Sequence, residues 1–380
     1  MTHRVLWVTA THPPSGGGMA TSSDRISRGL ADEGVIVDIV HLTGRAGPWS
    51  ISRHRHGRVV QAPIGEDPEE AMRRAWSVLQ ADAATDEVTH VVGFGGTLPL
   101  VAAPVYAAWI DVPLLTLLRG ADLETGVFSL RRRAALDDAV TRSARVCVVA
   151  ADAARRLQAL HPEVAIEHVA NGIDHTSWTA TAADIARAAA WRAATVPADR
   201  RVLGLVGQLK AKKGVVDLLD AIVAAGTAGS FHLALIGDIE PAVAGWLGER
   251  SEAVELSWSH EAFLDRWDLL ARYPAFDLVA VPSIHDGMPN VALEAAALGL
   301  PLLASDAGGL ADLVEDGISG VTFRAADRRG LTAAVARAAA LTPADLERLG
   351  RGATKAAAAF DQQTETARYL AILDATRATR

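Results

Sequence analysis

The stretch Pro282-Ser-Ile-His-Asp-Gly-Met-Pro-Asn-Val-Ala-Leu-Glu-Ala-Ala-Ala-Leu-Gly-Leu-Pro-Leu-Leu-Ala-Ser-Asp-Ala-Gly-Gly309 decides how this chain folds. Just ahead of it, Asp277 to Val281 is a short apolar run that ends at Pro282, as a buried strand does. Asp286-Gly287 turns the chain, and Pro289 suits the first position of a helix, where its missing N–H costs nothing. The Ala- and Leu-rich segment from Asn290 to Leu298 is expected to be helical, stopping at Gly299 with Pro301 just beyond. A second apolar strand then spans 301–304, so the unit reads strand, helix, strand. N–H groups at the helix start, with the positive end of its dipole, favour an anion such as a phosphate. Asp286 stands at the mouth of that site and Glu294 about one turn inside the helix. A capped βαβ unit with two surface carboxylates is the plainer reading of the same residues.

Three further segments carry chemistry of the same kind. Val206-Gly207-Gln208-Leu209-Lys210-Ala211-Lys212-Lys213-Gly214 holds three of the four lysines in a chain that otherwise uses arginine. That concentration favours a phosphate contact by Lys213 over a generic solvated face. Thr11-His12-Pro13-Pro14-Ser15-Gly16-Gly17-Gly18 lies between a strand over Arg4 to Ala10 and a helical stretch over Met19 to Ala31. A glycine-rich turn there lets the backbone approach a pyrophosphate closely. Its spacing is not that of a dinucleotide fingerprint, and no acidic residue is placed for an NAD ribose. Leu118-Arg119-Gly120-Ala121-Asp122 follows an apolar strand over Pro113 to Leu118. It reads either as a strand-end turn in which Arg119 pairs with Asp122 or as a cation offered to a ligand.

Together these segments resemble the family-4 glycosyltransferases, which have the two-domain GT-B fold. The family's Glu-x7-Glu motif falls on Asp286 and Glu294, with Asp in the first place. The resemblance implies that Asp286 touches the donor sugar and that Gly287, Met288, Pro289, Asn290 and Val291 line the sugar and diphosphate. Glu294 then binds the ribose hydroxyls. The family's Gly-Arg-Leu-x-x-x-Lys-Gly segment places its diphosphate-binding lysine on Lys213, but Gln208 replaces the arginine. An uncharged amide cannot make the two-pronged guanidinium contact. The family's Gly-Gly loop, facing the donor phosphates and the acceptor, falls on Gly17 and Gly18. Arg119 stands where relatives often carry a histidine near the donor sugar. The two departures suggest that Arg119 supplies the cation that Gln208 does not, so the catalytic set expected from the resemblance is Asp286, Lys213 and Arg119. Val169-Ala170-Asn171-Gly172-Ile173-Asp174 resembles the turn that closes the first domain in this family.

The fold class implied is α/β: two Rossmann-like, doubly wound parallel-sheet domains facing a central cleft. At 380 residues the chain is long enough for a core in each. The expected division is an acceptor-binding domain over 1–170, a connection over 171–200, a nucleotide-sugar-binding domain over 201–350 and a C-terminal helix over 351–380 that crosses back to the first domain. The resemblance implies a retaining transfer from a nucleotide diphosphate sugar to the hydroxyl of a small-molecule or glycolipid acceptor. No cofactor and no metal are expected. A sugar phosphorylase, an epimerase and a non-catalytic nucleotide-sugar-binding homologue are the alternatives.

Net charge −8 without a long basic run argues against a nucleic-acid partner. Basic residues cluster at Arg53-His54-Arg55-His56-Gly57-Arg58 and at Arg131-Arg132-Arg133. They read as solvated faces or as a patch for an anionic lipid surface or phosphorylated acceptor. Val91 to Ile110 carries no charge and is long enough for a membrane span, but its Gly and Pro residues break it into strand, turn and helix. Cys147 is the only cysteine, so no intrachain disulfide forms. No Cys/His cluster has metal spacing. The high Ala and Arg content suggests a bacterial gene, and the expected location is the cytoplasm, with peripheral contact on the inner membrane face left open.

Overall fold

The computed structural model describes residues 3–377 except Arg55, Asp82, Ala83 and Ala121. It divides into two units, Met1–Asn171 with Gln362–Arg380 and Gly172–Asp361. The first unit contains β1 (Arg4–Thr9), β2 (Ile36–Thr43), β3 (Ser50–His54), β4 (Gly57–Pro63), β5 (His90–Phe94), β6 (Leu114–Leu118), β7 (Arg145–Val148) and β8 (Ile166–His168). They form one sheet in the order β3-β4-β2-β1-β5-β6-β7-β8, parallel except for the β3–β4 pair. The second unit contains β9 (Arg201–Val206), β10 (Phe231–Ile236), β11 (Ser257–Glu261), β12 (Leu278–Val281), β13 (Leu302–Ser305) and β14 (Gly320–Phe323). Their order is β11-β10-β9-β12-β13-β14, all parallel.

Burial explains why the central strands are apolar on both sides. Along β1, Val5 and Trp7 join a core with Ile26, Leu30, Tyr369 and Ile372, while Leu6 and Val8 join another with Leu79, Ala103 and Tyr106. Successive residues point to opposite faces, and helices cover both, so from Val5 to Thr9 the strand is buried. The second sheet has the same strand character: β10 and β12 are buried throughout.

Sheet order also fixes where ligands can approach. In the first unit the chain runs outward from β1 and returns to β5, laid on the other side of β1. In the second it runs from β9 to β10 and β11, then returns to β12 beside β9. Loops leaving the carboxyl ends of such neighbours diverge, and the crevice between them is where doubly wound sheets take ligands.

Several boundaries differ from the sequence expectation. Residues 50–63 form the β3–β4 hairpin, which polar alternation concealed. Of the basic cluster there, Arg58 is buried rather than solvated, its backbone N–H donating to Asp38 Oδ1 at 3.1 Å; Arg55 lies outside the described residues. β11 is a half-exposed edge strand of mostly polar residues, which carries no apolar run. The expected connection over 171–200 belongs mostly to the second unit. Its helix Ala182–Thr195 is started by a Thr181/Asp184 capping box, and Arg192 donates to Ala275 O at 2.7 Å and to Asp277 Oδ2 at 2.8 Å. The expected tail over 351–380 divides: the helix Pro343–Ala357 stays in the second unit and only Gln362–Thr376 lies in the first. There, Arg25 makes a two-pronged contact with Glu365 at 2.9 and 3.1 Å. The uncharged run 91–110 is β5 followed by the helix Thr97–Ile110, with Pro104 buried inside it. Among the described residues no helix is long and apolar enough to cross a membrane.

Candidate active site

In the second unit three strand-end loops interlock around the β9/β12 switch point. Past β9, Leu209 is buried and its backbone bonds the loop past β10 in both directions, Leu209 N–H to Asp238 O and Glu240 N–H to Leu209 O. This holds Gln208 and Lys210 at the carboxyl end. A tight turn, Ala211–Lys213, then ends at Gly214, whose φ is +73°. A Cβ on Gly214 would stand 1.9 Å from the carbonyl oxygen of Pro282, so the lysine turn rests directly on the end of β12. Only glycine fits there.

That close approach brings Lys213 to Asp286, with Nζ 2.5 Å from Oδ2. The carboxylate is held by two more donors, Ser283 Oγ to Oδ2 at 3.1 Å and the Gly287 N–H to Oδ1 at 2.9 Å. Asp286 is thus a fixed, nearly buried group, while the lysine end remains about one-third exposed. The loop past β13 closes the third side. Gly308 has φ +54°, and a Cβ there would meet Asp286 O at 2.0 Å. The Gly309 N–H donates to Gly287 O, and Ser305 Oγ donates to Ser283 O at 2.6 Å.

The helix Asn290–Ala297 begins just after this turn. Pro289 occupies the cap position rather than the first helical one, with φ −66°, the value its ring imposes anyway. Met288 is buried; Pro289, Asn290, Val291 and Glu294 are partly exposed. Glu294 accepts a 2.9 Å hydrogen bond from the Tyr273 hydroxyl. Tyr273 is wholly buried, and burial together with the Glu294 charge raises its pKa well above the usual phenol range, so it stays a donor. Neither Tyr273 nor Ser283 was expected. Tyr273 lies outside every motif, and Ser283 looks like part of an ordinary strand-end turn. Gln208 is exposed and makes no side-chain hydrogen bond among the described residues.

The first unit gathers its own strand-end loops at the β1/β5 switch point. Gly17, with φ +97°, caps the helix Gly18–Asp32, and Gly16, Gly17 and Gly18 are all exposed. His12 anchors the same loop from beneath, its Nδ1 3.1 Å from Ser23 Oγ, which also accepts from the Trp7 indole at 3.1 Å. Burial lowers the His12 pKa to about 4, so it is neutral near pH 7. Asp122 ties two strand ends together, accepting from the N–H groups of Arg119 at 2.8 Å and Gly96 at 3.2 Å.

Arg119 departs from its expected role. Its side chain is 2% exposed, donates to the Tyr369 hydroxyl at 3.0 Å and to Asn171 Oδ1, and lies 3.8 Å from Glu365 Oε1. These partners come from the helix Gln362–Thr376 and the end of the unit, so the guanidinium is engaged inside the fold rather than offered to a phosphate. Nor does its side chain pair with Asp122; only its backbone does. Ala121 of that segment lies outside the described residues. The structure therefore brings Lys213, Asp286, Gly287 and the start of the 290–297 helix into one crevice, with Glu294 behind. Gly17, Gly18 and Arg119 belong to the other unit. Among the described residues, no group of three or more His, Cys, Asp or Glu is arranged to hold a metal ion.

An ammonium group, a helix start and a fixed carboxylate thus lie together at a topological switch point, the place where doubly wound sheets take ligands. Two such sheets in one chain constitute the GT-B fold. Sucrose-phosphate synthase from Thermosynechococcus elongatus superposes with a TM-score of 0.80 at 18% identity, covering 98% of both chains. The Anabaena protein HepE, solved in complex with UDP and glucose, superposes with a TM-score of 0.78 at 20% identity, covering 98% of this chain and all of that one.

Residues 200–340, within the second unit, match the family model described as Glycosyl transferases group 1. Among curated relatives, glycogen synthase of Mycobacterium tuberculosis is 35% identical over 200 residues, which is 52% of this chain and 45% of that protein. D-inositol 3-phosphate glycosyltransferase of Saccharomonospora viridis is 36% identical over 190 residues, 47% of this chain and 44% of that protein. The alignments span less than half the length of these relatives.

Proposed function

We propose that this protein transfers a hexosyl unit from a nucleotide diphosphate sugar to an acceptor hydroxyl, as a family-4 type enzyme acting with retention and without a metal. The observation that carries this reading is the Lys213–Asp286 pair at the β9/β12 switch point, within the segment that matches the group 1 family. Breaking the bond from the anomeric carbon to the phosphate oxygen leaves positive charge on the sugar and negative charge on the phosphate. The chemistry therefore needs cationic and N–H groups fixed where the phosphate charge grows. Lys213 and the backbone at the start of the 290–297 helix supply them. Asp286, held in place by Ser283 and Gly287, accepts hydrogen bonds from the sugar hydroxyls, and Glu294, steadied by Tyr273, accepts those of the ribose.

The leaving phosphate takes the acceptor proton in this scheme, so no dedicated base is required. The HepE complexes with UDP and with UDP-glucose make a UDP-linked hexose the first donor to try. The acceptor, a small molecule or a glycolipid, is proposed to bind at the carboxyl end of the first sheet near Gly17 and Gly18.

A thermal-shift screen of UDP, GDP, ADP and TDP with their sugars tests the binding half, because a ligand that binds only the folded state raises Tm. The transfer half is tested by NMR of the anomeric proton of the product. No shift with any nucleotide removes the donor-site reading; a shift without hydrolysis or transfer leaves a binding protein in its place.

A further inference from the structure

We propose that the turn Phe128–Arg132 of the first unit docks on the surface of a bilayer containing anionic lipids, with Phe128 and Leu130 entering the acyl boundary and Arg131 and Arg132 meeting the headgroups. Phe128 is 87% exposed and Leu130 is fully exposed, within three positions of each other. Single exposed apolar residues are ordinary on protein surfaces, but an apolar pair next to a cationic run is not scattered exposure. The turn joins the helices Asp122–Val127 and Arg133–Arg142, whose Leu123 and Leu136 are buried in a common core. Apolar side chains on either side thus face inward while these two face water.

Backbone bonds set that direction. Ser129 N–H donates to Gly126 O at 3.1 Å, and the N–H groups of Arg132 and Arg133 both donate to Ser129 O, at 3.2 and 2.9 Å. Arg133 pairs with Asp137 at 2.7 Å, but Arg131 and Arg132 are exposed and form no ion pair among the described residues. The chain as a whole carries net charge −8, so this spot is basic against the general sign.

A second apolar strip lies on the neighbouring helix. Thr97–Ile110 packs in the same core through Leu100 and contains no charged residue. Its exposed row is Val101, Val105 and Trp109, four residues apart and hence on one face. The Trp109 indole is steadied by Trp76, with ring centroids 4.8 Å apart. Apolar wedges beside unpaired arginines suit a membrane interface, where each part finds its own layer. A second copy of the chain is the less favoured occupant, since a symmetric contact would set Arg131 and Arg132 against their own counterparts. The helix Asp122–Val127 begins a few residues past the end of β6, so the tip belongs to the carboxyl end of the first sheet. That a docked molecule would meet a lipid-borne acceptor there rests on the transferase reading; the docking itself does not.

The test is co-sedimentation of the full chain with vesicles of phosphatidylcholine alone and of phosphatidylcholine mixed with phosphatidylglycerol. The expected result is binding to the mixed vesicles only, weakened by salt. Arg131→Gln and Arg132→Gln each lower the partition about fivefold, and the double variant Phe128→Ser with Leu130→Ser lowers it roughly tenfold or more. Unchanged thermal unfolding of these variants ties the losses to the surface. No binding to mixed vesicles, equal binding to both kinds, or binding that ignores all four substitutions overturns the proposal. So does a dimer in sedimentation velocity that the Phe128→Ser/Leu130→Ser variant abolishes, which would assign the patch to a second copy. Donor binding is measured on the same variants and stays unchanged, so failure here and failure of the transferase reading are separable.

Discussion

Lys213 Nζ stands 2.5 Å from Asp286 Oδ2, joining residues 73 positions apart across the point where the second sheet reverses its strand order. The lysine turn is brought there by Gly214 resting on Pro282, and the carboxylate is held by Ser283 and Gly287 whether or not the lysine is present. The pair is therefore asymmetric. Asp286 is fixed, and Lys213 is free to turn toward an arriving phosphate while remaining close to its partner.

This asymmetry separates two substitutions. If Lys213 meets the diphosphate as proposed, Lys213→Met removes that charge, and donor affinity is expected to fall roughly 10- to 100-fold, the range of a lost charge-assisted hydrogen bond. Asp286→Asn leaves the nucleotide contacts in place and is expected to lower kcat more than it weakens UDP binding. Calorimetric titration of both variants with UDP and with the UDP-sugar checks this. Equal UDP affinity in the parent and Lys213→Met variant would contradict the assignment.

The buried Tyr273 supports the partly exposed Glu294 of the same site. Tyr273→Phe loses one hydrogen bond inside the fold and is expected to cost about 1 kcal/mol of stability. It also removes one of the contacts that position Glu294, so KM for the donor is expected to rise while kcat changes little. On the proposed ribose role, Glu294→Gln is expected to weaken donor binding more strongly, because it alters the group that would hold the ribose. Steady-state kinetics of the two variants distinguish them; a donor KM unchanged in Glu294→Gln counts against the ribose role.

Glycine substitutions test the interlocked loops directly. A Cβ at Gly308 would stand 2.0 Å from Asp286 O, and the backbone there has φ +54°. Gly308→Ala is expected to destabilise the second unit by on the order of 3 kcal/mol and to abolish donor binding. Gly16 has open space around its Cα, so Gly16→Ala is expected to leave Tm nearly unchanged. Thermal unfolding of the pair is the measurement, and a neutral Gly308→Ala would mean the loops do not lock as described.

Arg119→Ala breaks the network with Tyr369, Asn171 and Glu365, leaving the buried Glu365 without one of its cations. A loss of about 3 kcal/mol in stability follows, with donor affinity of the folded protein unchanged. Gln208→Ala, at an exposed position, should do neither. Denaturant unfolding and UDP titration side by side decide the matter; a large loss of UDP affinity in Arg119→Ala at full folding would restore a role in the ligand site.

Buried histidines set an acid limit. Burial lowers the pKa of His12, His41, His90 and His232 to about 4. Their folded pKa lies below the unfolded value, so the folded state binds these protons less readily. Their contribution to stability is complete above about pH 6.5 and is lost as pH falls through about 4. Denaturant midpoints measured down this range are expected to fall steadily. A flat profile between these limits would show that the rings are already charged or reach water.

Much of the local structure around the crevice was legible in the sequence because it is encoded locally. A strand ending at Pro282, a turn at Asp286-Gly287 and a helix from Asn290 each depend on residues within a turn or two of one another. Residue type also marked Lys213 and Glu294. The β3–β4 hairpin was hidden because an edge pair needs no apolar run, and β11 for the same reason. Arg119 was misjudged because its buried partners stand 52 and 250 residues away, beyond the reach of any local pattern.

By itself the sequence determined the alternation of strand and helix, the turn at Asp286-Gly287, and the spacing of the two carboxylates Asp286 and Glu294. Periodicity and backbone sterics act over a few residues, so they are written in those residues. Only the tertiary structure decided that Lys213 meets Asp286, that Arg119 turns inward, and that the return to the first unit begins only at Gln362. Those outcomes depend on the order in which strands are laid beside one another. That order is chosen by burial of the whole sheet and not by any segment within it.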